Sequence, residues 1–298
     1  GDIPALIDRF IADQDIKEKS RRSYRKGIKQ YFIWVNGKGY DLRNITRVEI
    51  LQYKEDMMVS GKSMLTVGAY IGVVRKFYEW AEAMKLYPNV SKGVKSPKRK
   101  VGFKKEGLTP EQCRQLCAHF ASVGLREYAM INLMLRTGLR TVEVSRILVG
   151  DIIFKGGVRI LMIHGKGHDE KDAWIILTGK AYAPIKDYLA TRPGHRDSEP
   201  VFISESSNNK DIHAMHEESI SRIAKAGLVA IGLDGKQYTA HSLRHSAAVN
   251  LIRGGATLNA VQEVLRHVSI NTTTIYTESI KDEMRILNQT EAILDNMF

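Results

Sequence analysis

Six side chains in the sequence are of types that could act on a phosphodiester bond. They are Arg140, Lys166, His241, Arg244, His267 and Tyr276. A tyrosine hydroxyl can be a covalent nucleophile once its proton is accepted, and fixed cations can then hold the negative charge that develops around phosphorus. The planar guanidinium of arginine binds two phosphate oxygens at once, and a lysine or a histidine can protonate the leaving oxygen. These residue types predict attack on a phosphodiester by an oxygen nucleophile without a metal ion.

Short segments carry these side chains in a fixed order along the chain. They are RTGLRTVE at 136–143, GKG at 165–167, HSLRH at 241–245, and LRH at 265–267 followed by TTTIY at 272–276. His241 and Arg244 are three residues apart at a predicted helix start, which places both side chains on one helix face. Each segment alone is a weak signal, because a single arginine or tyrosine is most often a surface or core residue. The ordered set is the specific signal.

The first ninety residues are predicted to form a bundle of four amphipathic helices. Apolar residues recur at helical spacing in IPALIDRFIADQ and in SYRKGIKQYFIWV. Thr46 and Glu49 fit a capping box that begins a third helix, and a fourth is predicted from about Ser63 to Leu86.

Residues 91–106 have the composition of a basic linker, with little apolar periodicity. The basic side chains singled out here are Lys98, Arg99, Lys100, Lys104 and Lys105. Two interpretations stay open: a solvated, flexible tether, or a strap along DNA phosphates, where each neutralised phosphate adds salt-dependent affinity.

A second domain is predicted over residues 107–298. Thr109 and Gln112 fit a capping box, with a proline at the first helical position. Helices are expected at 110–122 and 125–137.

Further along, the segment VRILMIHGKGHDEKDAWIIL has two β-branched, apolar runs around a turn, which predicts a β-hairpin. Beyond Pro184 the chain is predicted to be mostly helical to about Leu294. The expected fold class is therefore mostly α with a small β-sheet, in two domains.

The net charge of +12 is concentrated in the first third of the chain. Residues 1–105 contain 23 Lys and Arg against 11 Asp and Glu, whereas residues 106–298 contain 22 of each. Such a cationic region favours a polyanion, either nucleic acid or an acidic membrane surface. The sequence has no run of eighteen apolar residues and no secretory signal pattern, so neither a membrane span nor secretion is expected. We expect no membrane partner and a cytoplasmic location, associated with the nucleoid in a prokaryote, or a nuclear one in a eukaryote.

Metal-dependent chemistry fits the sequence less well, and no metal or cofactor is predicted. Paired acidic residues that could hold magnesium are not evident around the motifs. The histidines that would have to be forced into a zinc site form two pairs, His164 with His168 and His213 with His216. Cys113 and Cys117 have no second cysteine pair to complete a zinc site, which favours reduced thiols on one helix face.

In this order and with these gaps, the motifs resemble those of the tyrosine recombinases, the phage-integrase and Xer-type site-specific DNA recombinases. The resemblance runs from the helical N-terminal segment through nearly all of the C-terminal two thirds. It implies a two-domain DNA clamp. Residues 1–90 would be a helical core-binding domain of the SAM-like type, and residues 107–298 the catalytic domain with a C-terminal oligomerisation tail.

The resemblance also implies roles for the site residues. Arg140 and Arg244 would hold the scissile phosphate, while Tyr276 attacks it to form a 3′-phosphotyrosine and free a 5′-hydroxyl. Lys166 would protonate the departing 5′ oxygen. No ATP, metal or other cofactor is expected, because the phosphotyrosine conserves the bond energy.

The remaining roles concern the surroundings of the phosphate. The resemblance implies that His241 assists proton transfer, that His267 hydrogen-bonds the phosphate and that Glu143 supports the site from behind. One departure is visible, since the family usually has a glycine where this chain has Arg266, and that side chain is expected to contact phosphate or to point to solvent. His245 is interpreted as a packing or surface histidine.

As partners, the resemblance implies double-stranded DNA target sites and further copies of this chain, as a dimer on each site and a tetramer on two duplexes. It is also compatible with accessory proteins. The segment 281–298 is expected to dock on a neighbouring protomer. The biological task would be integration or excision of a mobile element, or resolution of DNA multimers. Two alternatives stay open: DNA relaxation like that of a type IB topoisomerase, and a non-cleaving DNA-binding regulator. Residues 242–265 also resemble a helix-turn-helix reader.

Overall fold

The computed structural model of the chain shows a mostly helical protein with a small sheet, which confirms the predicted fold class. The structure describes residues 2–98, 107–164, 173–205, 211–266, 270–278 and 280–297. The chain divides into two compact units, Gly1–Gly102 and Phe103–Phe298. In the described part of the chain, no helix has both the length and the apolar character needed to cross a membrane.

The first unit contains the four helices expected from the sequence. They are α1 (Ile3–Ala12), α2 (Glu18–Gly37), α3 (Arg47–Val59) and α4 (Met64–Ala83). The capping box of α3 is confirmed: the Thr46 hydroxyl accepts from the amide of Val48, and the Thr46 amide donates to the Glu49 carboxylate over 2.7 Å. Helix α4 ends three residues earlier than predicted, and Lys85 follows it in a left-handed conformation.

Aromatic rings fill the core of the first unit. The phenols of Tyr31 and Tyr78 are both buried, and their oxygens lie 2.6 Å apart in a hydrogen bond. Burial raises the pKa of both phenols, so they remain neutral core groups. The indole N–H groups of Trp34 and Trp80 donate to carboxylates at 2.9 and 2.8 Å. These aromatic contacts hold the four helices in one compact bundle.

The second unit begins with three helices and a sheet. The helices are α5 (Pro110–Val123), α6 (Leu125–Thr137) and α7 (Thr141–Ser145), and the strands are β1 (Ile152–Lys155), β2 (Val158–Ile163) and β3 (Ala173–Ile176). The strands pair antiparallel in the order β1, β2, β3. The predicted hairpin is β2 and β3. The first strand was missed, although Gly156 and Gly157 have the positive φ angles of a tight turn between two β-branched runs.

Helices make up most of the remaining chain. They are α8 (Gly179–Ala190), α9 (Glu217–Ala230), α10 (Ala240–Arg253), α11 (Leu258–Leu265), α12 (Ile270–Glu278), α13 (Lys281–Asn288) and α14 (Ala292–Asp295). The chain beyond Pro184 is mostly helical, as predicted, but α8 begins before that residue, so Pro184 lies inside the helix. Proline cannot donate to the carbonyl four residues before it, and the amide of Asn132 donates to that carbonyl, on Lys180, over 2.9 Å.

The core of the second unit is built around α6, which packs against α5, α8 and α10. A second apolar cluster lies under the C-terminal helices, with members on α10, α11 and α12. Helix α10 carries a run of buried residues from Ser242 to Val249 and contributes to both clusters. It is therefore a rigid element on which functional side chains can be held.

Candidate active site

Arg140 and Glu143 are fixed together at the turn between α6 and α7. Gly138 closes α6 in a left-handed conformation with φ of 66°. The Arg140 backbone N–H donates to Glu143 Oε2 over 2.7 Å, and Arg140 Nη1 donates to Glu143 Oε1 over 3.0 Å. The carboxylate is buried, whereas the Arg140 side chain is 35% exposed. The guanidinium is thus held from one side and open on another.

Arg244 lies inside the second unit, on the buried side of α10. Its Nη1 donates to the carbonyl of Gly138 over 2.6 Å, and its Nη2 donates to the carbonyl of Leu265 over 2.5 Å. Burial, and then the positive charges of Arg140 and Arg266, lower the pKa of Arg244 below its usual range. Carbonyl dipoles hold this cation in place and leave its net charge unneutralised.

The start of α10 is held by a network that places His241. The ammonium of Lys225 donates to the carbonyls of Asp234, Gly235 and Tyr238 at 2.8 to 3.1 Å, which fixes the loop before the helix. His241 is exposed one helical turn before the buried Arg244. The two side chains therefore differ in access to solvent.

Tyr276 lies on α12 with its ring buried against α10. Its ring centroid is 4.9 Å from that of His245, at an interplanar angle of 56°. His245 directly follows Arg244 on α10, and the Tyr276 phenol acts to raise the pKa of Arg244 against the larger lowering effect of burial. The structure thus brings Tyr276, Arg244 and Arg140 into one region, although the first and last are 136 residues apart in the sequence.

His245 is a core residue, which decides between the packing and surface positions that the sequence left open. It is 1% exposed, and burial lowers the pKa of its imidazole to about 4, with smaller contributions from His241 and Arg253. At neutral pH the ring is therefore uncharged. It forms part of the surface against which the Tyr276 ring packs.

Arg266 is the site residue whose position the sequence left open. Its Nη2 donates to Glu143 Oε2 over 2.7 Å, across 123 residues of sequence, and its side chain is only 12% exposed. The expectation that it points to solvent was wrong. Two guanidinium groups, on Arg140 and Arg266, bind the Glu143 carboxylate, and Arg244 adds a third positive charge that interacts with it electrostatically. The four groups carry a surplus of positive charge that suits an anion such as a phosphodiester.

Several predicted site residues lie outside the described residues. They are Lys166, His267, Arg99, Lys100, Lys104 and Lys105. Lys98 is described and exposed.

The residue types that bind metals form no cluster at this site or elsewhere in the described ranges, where no three His, Cys, Asp or Glu side chains lie close enough to hold an ion. Cys113 and Cys117 are free, partly buried thiols on α5, as expected. Burial raises the pKa of Cys113 to about 11, which keeps the thiol protonated.

Comparison with known proteins gives matches to both units. The model of the phage integrase family matches residues 106–283, which is more than half of the chain, and that of the phage integrase N-terminal SAM-like domain matches residues 6–85. The tyrosine recombinase XerD of Halalkalibacterium halodurans is 30% identical over 287 residues, covering 92% of this chain and 91% of that protein.

Solved structures show the same fold at lower identity. One is the XerH site-specific recombinase bound to palindromic difH substrate in a post-cleavage complex, with a TM-score of 0.74, 20% identity, and coverage of 90% of this chain and 78% of that one. Another is a lambda integrase tetramer bound to a Holliday junction, with a TM-score of 0.69, 16% identity, and coverage of 92% and 76%. On these sequence matches, the chain belongs to the phage integrase family and is a tyrosine recombinase, an enzyme of DNA cleavage and strand transfer.

Proposed function

We propose that this recombinase cleaves one DNA strand at a time with the phenol oxygen of Tyr276, at a phosphate held by Arg140 and Arg244. The observation that carries this proposal is the packing of the buried Tyr276 ring against His245, the residue that follows the buried Arg244 on α10, with 4.9 Å between the ring centroids. A buried cation held by carbonyls provides a fixed positive charge where charge develops on phosphorus, and it needs no rearrangement during the reaction.

The reaction balances without an external energy source. The Tyr276 phenol gives up its proton to a base as its oxygen forms a bond to phosphorus, the bond from phosphorus to the 5′ oxygen breaks, and the leaving oxygen takes a proton to become a 5′-hydroxyl. One phosphodiester replaces another, so the reverse attack by a 5′-hydroxyl from a second strand rejoins the DNA. Lys166 is proposed to donate this proton. His241 is proposed to assist proton transfer, and His267 to hydrogen-bond the phosphate.

Glu143 supports this site by holding Arg140. It binds the backbone and the guanidinium of that residue at once, so its carboxylate fixes both the turn and the side chain. Because Glu143 also pairs with Arg266, its single negative charge offsets the positive charges of the arginines only in part. We assign it a supporting role rather than one in proton transfer.

DNA binding is proposed to involve both units. Residues 1–105 carry the whole net charge of +12, which suits contact with a long stretch of phosphates. Residues 1–90 would grip the duplex as a core-binding domain, the basic linker 91–106 would follow the backbone, and residues 107–298 would act on the scissile phosphate.

The assembly proposed is a dimer on each target site and a tetramer on two duplexes. It is supported by the fold shared with lambda integrase, which has been solved as a tetramer on a Holliday junction. The substrate would be double-stranded DNA sites, for integration or excision of a mobile element or for resolution of multimers.

The test begins with recovery of the target. The full-length protein is incubated with a pool of random duplex DNA, denatured, and the DNA still attached to protein is sequenced. A nicked suicide substrate made from the recovered site should then accumulate covalent adduct with the wild-type protein. Tyr276→Phe should give none, since it keeps the ring and removes the nucleophilic oxygen, while still shifting the same DNA in a gel.

Other outcomes would contradict the proposal. No adduct with the wild-type protein on any DNA would favour a non-cleaving regulator. Efficient relaxation of supercoiled DNA lacking the recovered site would favour an activity like that of a type IB topoisomerase. Adduct with Tyr276→Phe would place the nucleophile elsewhere.

A further inference from the structure

Arg266 has a strained backbone at the end of α11. It is the C-cap residue of that helix and has a left-handed conformation, with φ of 55°. This conformation is unfavourable for a residue with a Cβ atom, and glycine adopts it freely. Such strain persists where the surrounding structure holds the residue in place, and it concentrates at functional sites. The structure around Arg266, which includes the contacts of its side chain, therefore offsets this backbone strain.

Those contacts join two segments of the active site. Arg266 Nη1 donates to the carbonyl of Val264 over 2.7 Å, and Nη2 donates to Glu143 Oε2 over 2.7 Å. Arg244 makes a parallel connection, since it joins the carbonyls of Gly138 and Leu265. The two arginines together hydrogen-bond the end of α11 to the turn that carries Arg140 and Glu143.

Arg266 and Arg140 share a single buried carboxylate. Glu143 Oε2 accepts from Arg266 and from the Arg140 backbone, while Oε1 accepts from the Arg140 guanidinium. If Arg266 were absent, the full negative charge of Glu143 would act on Arg140 alone. The carboxylate would then draw the Arg140 guanidinium more closely and offset its charge more completely. With Arg266 present, Glu143 offsets less of the positive charge of Arg140, so that this charge acts more strongly on a ligand at the exposed side of Arg140.

We propose that Arg266 is a positioning residue for strand cleavage, which holds Glu143 and thereby sets the position and effective charge of Arg140 at the scissile phosphate. The inference rests on the proposed function, and it assigns Arg266 no contact with the DNA.

The test measures single-turnover cleavage of the nicked suicide substrate at saturating protein. Arg266→Gly removes the guanidinium and relieves the backbone strain, so the variant is expected to fold. Cleavage should slow about ten- to a hundredfold, the effect of losing one hydrogen bond to a charged group. The affinity for DNA should stay within about twofold. Arg196→Gln is the matched control: it removes an exposed guanidinium paired with Glu199 at 3.3 Å in the same unit, and it should leave cleavage unchanged.

A double-mutant cycle tests whether Arg266 acts through Glu143. Glu143→Gln combined with Arg266→Gly should be no slower than Glu143→Gln alone, within about twofold, because the partner of Arg266 is already lost. Multiplied losses would show an independent role and overturn the proposal. So would an Arg266→Gly variant that cleaves at the wild-type rate.

Two more variants cover the case in which Arg266→Gly does not fold. Arg266→Lys keeps a charge near Glu143, whereas Arg266→Met has a similar length and none. The lysine variant should cleave at least about threefold faster than the methionine variant. Equal rates would overturn the proposal. Absence of adduct with the wild-type protein would instead reject the proposed function, so the two failures are distinguishable.

Discussion

Arg244 is a buried cation whose described partners are two backbone carbonyls. Buried charges are costly unless they are paired or hydrogen-bonded, and the carbonyls of Gly138 and Leu265 supply the hydrogen bonds without cancelling the charge. The charge of Arg244 therefore remains available to an anionic ligand. The neighbouring Tyr276 and His245 are buried with it, so a phosphate that enters this site meets a fixed cation in a protein interior.

The buried imidazole of His245 should make the stability of the second unit depend on pH. Its pKa is about 4 in the folded protein against 6.5 for an exposed histidine. The unfolded chain therefore binds a proton between these values that the folded chain does not. The stabilising contribution of the neutral His245 should be fully present well above pH 6.5. The free energy of unfolding should then fall by about 2 kcal/mol between pH 7.5 and pH 5.0.

Urea unfolding at the two pH values measures this prediction. His245→Gln lacks the titrating group. Its free energy of unfolding should fall by about 2 kcal/mol less than that of the wild type over the same interval, whatever its stability at pH 7.5. His195→Gln changes an exposed histidine and should show the wild-type dependence. An equal pH dependence in His245→Gln and the wild type would show that His245 is not the group responsible.

At the scale of the elements, the turn between α6 and α7 carries much of the site. Gly138 has φ of 66°, and a Cβ atom built there would lie 2.5 Å from Leu265 Cδ2 and 3.4 Å from the Ala247 Cβ. The same residue presents its carbonyl to Arg244. The close approach of α10 and α11 to this turn therefore requires a glycine.

Gly138→Ala should be destabilising for two reasons, the left-handed backbone and the overlap with Leu265. Together they should lower the free energy of unfolding by about 2 to 4 kcal/mol. Gly156→Ala is the matched control, because Gly156 has a similar φ of 57° with nothing within 4 Å of its added Cβ. It should lose only about 1 kcal/mol. Denaturant unfolding compares the two variants, and equal losses would show that the overlap with Leu265 is relieved at no cost.

Sequence patterns predicted the elements whose signals are local. The capping boxes at Thr46 and Thr109 are confirmed, because each depends on side chains three residues apart. The helix across Pro184 was missed because its free carbonyl is satisfied by Asn132, which is 48 residues from Lys180 in the sequence. The confirmed predictions thus depend on partners close in the sequence, and the missed helix depends on a distant one.

The same distinction applies to the candidate site. The motifs placed Arg140 and Glu143 three residues apart in one segment, and the structure pairs them; for His245 they left packing and surface positions open, and the structure buries it. They could not predict that Arg266 contacts Glu143, because no local periodicity relates residues 123 positions apart. Nor could they predict the carbonyl partners of Arg244, since a backbone acceptor has no sequence signature.

At the scale of the whole molecule, the C-terminal segment has an apolar surface for which its own chain provides little cover. Its exposed apolar side chains are Ile286, Leu287, Ile293, Leu294 and Met297. Among the residues that the structure describes, the segment is anchored at its start, where Ile280 is buried and Glu283 pairs with Arg253 at 3.0 Å. Exposed apolar residues of this kind favour burial against another protein surface, and the proposed assembly provides one in a neighbouring protomer.

Removal of residues 286–298 should weaken assembly on DNA without unfolding the protein. The truncation keeps Ile280, Glu283 and Met284, so the contacts of the anchored part remain. Binding to a single isolated site should stay within about threefold, because the segment is outside the proposed phosphate site. Complexes that join two sites should require about tenfold more protein, since burial of even one leucine or isoleucine side chain contributes about 1.5 to 3 kcal/mol.

Native gels with one-site and two-site DNA compare the truncated and full-length chains. Ile286→Ser with Leu287→Ser keeps the chain length and should reproduce part of the loss, which separates apolar contact from the mere presence of the segment. If both variants assemble on paired sites at the wild-type protein concentration, docking of this segment on a neighbour is wrong. If one-site binding falls equally, the segment acts on DNA binding rather than on the contact between protomers.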